Sequence, residues 1–144
     1  MLYTWSSRLR YIAALLLPDV TQREFSAEKS IEHGRAGLKY DLASEDDYAI
    51  AFSHFFLAWY LDELRGAQRT EARTHAREAL IYAERARDHL LKGYVHCYLG
   101  IAAYWGMIEE EDSESMRVYS NECEEQAHKA IENATPVDCT LVIA

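Results

Sequence analysis

Glu125 and His128 stand three residues apart in "EEQAH". On a helix that spacing puts both side chains on one face. A Glu-x-x-His pair is part of the ligand set of a di-iron carboxylate bundle. Such a bundle needs a second copy and two further carboxylates from partner helices. No second copy occurs, because Glu71 and His75 are four apart. Both pairs read as surface pairs. The six histidines, His33, His54, His75, His89, His96 and His128, form no HExxH and no zinc-type spacing with cysteine. His54 and His96 fall in aromatic-rich segments and are expected to satisfy their own hydrogen bonds in a core or a groove. Cys97 follows His96 directly, but neighbouring helical residues point in different directions. A nucleophile and its base meet in space, not along the chain. No GxSxG, P-loop or GxGxxG is present, and six single glycines leave no loop to cradle a phosphate. No catalytic residue, metal or cofactor is expected.

Two surface features remain. Arg69, Arg73 and Arg77 recur every fourth residue in "RTEARTHAR". Guanidinium groups so spaced can hold carboxylates or phosphates bidentately. They can equally form a solvated face offset by Glu71 and Glu78. The second feature is aromatic wealth. Tyr48, Phe52, Phe55, Phe56, Trp59 and Tyr60 crowd one segment, more than a single buried stripe holds. The surplus points to an interface or groove, where Tyr and Trp bring area with little rotamer entropy.

These residues must be positioned by helices. The chain has 144 residues, only 6 Gly and 2 Pro, and is rich in Ala, Leu, Glu and Arg. An all-α single domain is expected over residues 1–144. The net charge of −9 removes the cationic footprint of a nucleic-acid binder. The charge is uneven: residues 65–92 hold seven Lys or Arg against four acids, and residues 107–138 hold ten acids against two bases. Three cysteines without a CxxC suggest no disulfide framework and fit a reducing cytoplasm. The opening apolar run "YIAALLL" has seven residues, too few to span a membrane. It reads as one face of an amphipathic helix, with Trp5, Leu9, Ile12, Ala13 and Leu16 aligned.

Helix boundaries follow from caps and breakers. A helix over about 3–17 stops at Pro18. "TQRE", residues 21–24, has capping-box form and opens a helix to about 41. Ser44 in "SEDD" is the expected N-cap of a helix over 45–64. The next covers 69–91 and ends at Gly93, a natural C′ residue. One over 94–110 follows, and Ser113 or Ser115 opens the last, which runs to about 134 before Pro136. The apolar tail 135–144 can pack back on the core or pair with another chain.

Small residues recur in phase: Ala27, Ser30 and Gly34; Ala76, Ala79 and Ala83; Ala127, Ala130 and Ala134. Each set holds one large aliphatic, Ile31, Leu80 or Ile131. Between them, "YAIAFSHFFLAWY" and "YVHCYLGIAAYWG" both put Trp eleven residues after Tyr. The chain therefore reads as three stacked antiparallel helical hairpins of about six helices, over 3–41, 45–91 and 94–134. Slim stripes let neighbouring backbones approach, and stacking buries a core that one hairpin could not.

The small-x3-large-x2-small pattern, in Ala27-Ile31-Gly34, Ala76-Leu80-Ala83 and Ala127-Ile131-Ala134, resembles the second helix of the tetratricopeptide repeat. Leu99-Gly100 is similar to the Leu-Gly pair of its first helix. The period departs, near 50 residues instead of 34, and Ser53-His54 stand where Leu-Gly would. The resemblance implies a curved scaffold that binds a protein or peptide in a groove. Tyr60, His96 and Tyr104 are its expected groove contacts, and Arg69, Arg73 and Arg77 could hold an acidic segment. Homo-oligomers are compatible with it; nucleic acid and membrane are not expected partners. The competing reading is a small-ligand binder or enzyme with a pocket between the aromatic helices, using His54 or His96.

Overall fold

The computed structural model describes residues 20–63, 68–109 and 112–134. Five α-helices make up nearly all of them: α1 Val20–Ser44, α2 Asp47–Glu63, α3 Arg69–Arg85, α4 His89–Glu109 and α5 Ser113–Ala134. No strand occurs among the described residues, and no helix there is long and apolar enough to cross a membrane. The expected helix over 3–17 and the tail 135–144 lie outside the described residues. The chain divides into two compact units, Met1–Tyr82 and Ala83–Ala144.

Aspartates set three of the helix starts. Asp46 Oδ1 accepts from the backbone N–H of Tyr48 and Ala49, at 3.0 and 3.2 Å. Asp88 Oδ1 accepts from Leu91 N–H at 2.8 Å, and Asp112 Oδ2 from Ser115 N–H at 2.8 Å. Each satisfies backbone donors that the first helical turn leaves over. Ser44 is thus not the N-cap of α2. It ends α1, where its hydroxyl donates to the Asp41 carbonyl at 2.7 Å. Glu45 then reverses the chain with φ 55°.

The boundary expected at Gly93 is also corrected. α3 ends at Arg85, and Gly93 lies buried inside α4. The turn is a Schellman motif. Asp88 N–H reaches the Ala83 carbonyl at 3.0 Å, and Arg87 N–H the Glu84 carbonyl at 3.1 Å. Arg87 occupies the left-handed position usually given to glycine, at φ 54°. Lys92 and Glu84 pair across the turn.

In the first unit, α1 and α2 run antiparallel, since Gly34 meets Leu57 while Asp41 meets Ser53. Ile31, Leu38, Ile50, Leu57, Tyr60, Leu61 and Ala72 form the core. A Cβ on Gly34 would lie 2.9 Å from Leu57 Cδ2, so glycine is what permits the approach. Ser30, Ala76 and Ala79 are fully buried, as slim contact stripes require. Along α2 the rings of Tyr48, Phe52, Phe56 and Tyr60 follow one another at 5.9, 4.5 and 5.9 Å. This ladder runs from a buried Tyr60 to an exposed Tyr48.

In the second unit α4 and α5 form an antiparallel hairpin. His96 meets Gln126, Gly100 faces Cys123 and Ala127, and Gly106 faces Tyr119. Val95, Leu99, Ala102, Ala103 and Ala130 are buried. The third small stripe behaves differently from the first. Ile31 is 4% exposed but Ile131 is 50% exposed, and Ala127 is exposed too.

Candidate functional site

That exposed face is one wall of a groove. α4 contributes Cys97, Gly100, Ile101 and Tyr104, and α5 contributes Cys123, Ala127, Ala130 and Ile131. Its volume is about 400 Å³, its walls are almost wholly apolar, and it is partly open to solvent. The helical repeat explains the lining: positions 97, 101 and 104 on α4, and 123, 127 and 130 on α5, fall one turn apart. Gly100 keeps the floor low, where a Cβ would touch Gln126 at 3.5 Å and the Cys123 carbonyl at 3.7 Å. Such a trough suits side-chain anchors of an extended or helical segment better than an enclosed metabolite. Tyr104, with Trp105 edge-on at 5.8 Å, stands exposed at its rim.

The other expected contacts are distributed differently. Tyr60 is fully buried in the α1–α2 core, which corrects its expected place in a groove. Its ring fills the space beside Gly34 and lies tilted against Phe56 at the end of the α2 ladder. His96 is also buried. Its Nδ1 lies 2.7 Å from Gln126 Oε1, a bond that joins α4 to α5. Burial lowers its pKa, partly offset by that hydrogen bond. Of the arginine stripe, Arg69 and Arg73 are half-buried and Arg77 is exposed. Arg69 Nε is 4.0 Å from Asp62. Glu71, the acid between them, binds Arg35 of α1 at 2.7 Å. Of the stripe, Arg69 is thus drawn toward an acid of its own unit, while Arg77 faces solvent.

Sequence spacing gave no sign of the most unusual polar contact. His54 Nδ1 of α2 and His75 Nδ1 of α3 are 2.8 Å apart. The His54 ring also stacks on Tyr82 at 5.9 Å. One nitrogen must donate and the other accept. Glu71 Oε1 lies 3.8 Å from His75 Nε2, beyond hydrogen-bond distance. Burial lowers both pKa values, that of His54 to about 4, with the second ring adding to the shift. Both rings are therefore neutral at physiological pH. Close by, Ser53 donates to the buried Asp41 carboxylate at 2.5 Å. The two residues that replace Leu-Gly thus each make an interhelical hydrogen bond.

Glu125 pairs with Lys129 at 2.5 Å, and exposed His128 lies 3.9 Å from Glu124. Glu125 and His128 are surface groups, as their spacing suggested. Among the described residues no cluster of three or more His, Cys, Asp or Glu is placed to hold a metal ion. The fold defines an all-α protein of antiparallel helical pairs. No protein-family model matches the chain, and neither a curated protein nor a solved structure shows detectable similarity to it.

Proposed function

We propose that this chain is a protein- or peptide-binding module built from helical hairpins of the tetratricopeptide-like kind. The open apolar groove between α4 and α5, rimmed by Tyr104, is the observation that carries this reading. An uncharged trough on a surface otherwise rich in acids is what a partner's apolar anchors require. The buried small residues at Ser30, Gly34, Ala76, Ala79 and Ala83 support the hairpin-repeat part of it. A reducing, cytoplasmic setting goes with free thiols at Cys97 and Cys123. Self-association through the same face is compatible with it.

Peptide display on the purified chain tests the proposal. Selected sequences should carry two or three apolar anchors and should lose at least tenfold in affinity on Ile101→Asp, which puts a charge into the groove wall. Arg77→Ala, on α3 and not among the residues that line the groove, should leave them unchanged. Selection of no consensus, or of peptides indifferent to Ile101→Asp, would overturn it.

A further inference from the structure

The two walls of the α4–α5 groove continue past its lining in one register. Along α4, Tyr94, Cys97, Ile101, Tyr104 and Ile108 advance by 3, 4, 3 and 4 residues. All but the half-buried Cys97 are exposed. Along α5, Met116, Ser120, Cys123, Ala127 and Ala130 advance by 4, 3, 4 and 3. That alternation is the a/d spacing of a helix-packing seam. Both walls run for the same number of residues, a rise of about 21 Å each.

Two features select what fills such a seam. The first is the near absence of polar groups in the walls. An extended segment laid there would bury backbone N–H and C=O groups with nothing to pair them. A helix satisfies its own backbone between its ends and offers the walls only side chains. About four helical turns also match the 21 Å rise. The second feature is charge. Residues 94–108 of α4 hold no Asp, Glu, Lys or Arg. In contrast, α5 holds five acids against two bases, and Glu124 is exposed directly after Cys123. A second copy would set its own acids, and a net charge of −9, against these. A cationic helix meets them with opposite charge.

We propose that the α4–α5 groove takes its partner as a cationic amphipathic helix of about four turns. Apolar side chains at helical spacing enter the groove, and Lys or Arg residues lie along the flank over α5. This rests on the groove being the recognition site proposed above, and the two can fail separately. An isolated helix of that length is marginal in water, so the segment folds as it binds.

Random peptides of about sixteen residues, long enough for four turns, selected on the full-length chain provide the test. Selected sequences should space their apolar anchors by three and four residues and carry Lys or Arg on one flank. Binding should induce helical circular dichroism in them. One proline at a central polar position of the peptide should weaken binding at least about tenfold, a readout independent of any change to the protein. Glu124→Lys should slow their association about threefold at low salt. Anchors at every second residue that tolerate the proline, yet lose affinity on Ile101→Asp, overturn the helix and leave the recognition site standing. Helical peptides without a basic flank, or indifferent to Glu124→Lys, overturn the cationic partner. Helical peptides indifferent to Ile101→Asp remove both readings. No selected peptide, with a dimer in light scattering that Ile101→Asp dissolves, hands the groove to a second copy. No selected peptide from a monomer removes both.

Discussion

His54 and His75 illustrate how a few atoms couple two helices to pH. Their shared hydrogen bond needs one lone pair, and each sits where burial disfavours charge. A second proton on the pair would set two N–H groups against each other. In the unfolded chain both titrate near the ordinary value of 6.5. Folded-state pKa values below that mean the unfolded chain binds protons first as pH falls. Stability is therefore full above about pH 6.5 and declines below it, levelling off under about pH 4 for His54. Glu71, paired with Arg35, faces His75 and partly offsets the decline. Urea unfolding from about pH 7 to pH 4 should show the wild type losing about 2 kcal/mol more than His54→Phe, which keeps the ring on Tyr82 but removes the titration. Equal losses would exclude the pair as the titrating element. Sequence spacing could not show this contact, since residues 54 and 75 meet only across two helices. It did mark the place: Ser53-His54 broke the Leu-Gly pattern, and both breaking residues make interhelical bonds.

Helix type was legible because composition, small-residue stripes and aromatic spacing all agreed on a helical period. Helix ends were less so. The same stretch offered several caps, and tertiary geometry chose among them. "SEDD" presented Ser44 as a cap, yet Asp46 is used, with Glu45 in the left-handed region. Gly93 looked like a terminus, yet the Ala83–Asp88 Schellman motif closes α3 before it. There Arg87 holds φ 54°, a conformation that burdens a Cβ by about 1 kcal/mol. Arg87→Gly should relieve that strain and raise stability by up to about 0.5 kcal/mol, after the entropy glycine adds to the unfolded chain. Arg87→Val should lower it by more than it gains. Thermal melts of the two variants against wild type check the sign, and a destabilised glycine variant would mean the turn is not strained.

Across the molecule, charge and apolar surface divide the work of recognition. The net charge is −9, and α5 presents exposed Glu124 and Glu125 beside a groove without charge. The acids were legible from composition; the groove was not, because it depends on which stripe of α5 stays uncovered. Charges at a rim steer encounter, whereas buried apolar anchors set how long a complex lasts. Rim charges exposed to solvent are screened once salt shortens the Debye length from about 30 Å at 0.01 M to about 8 Å at 0.15 M. A groove-selected peptide with Lys or Arg flanks should therefore associate roughly tenfold more slowly over that range, while its dissociation rate changes by less than about twofold. Stopped-flow measurements at the two salt concentrations separate these terms. A dissociation rate that climbs with salt as steeply as association falls would place the anchoring in ion pairs, and would remove the apolar groove from the recognition step.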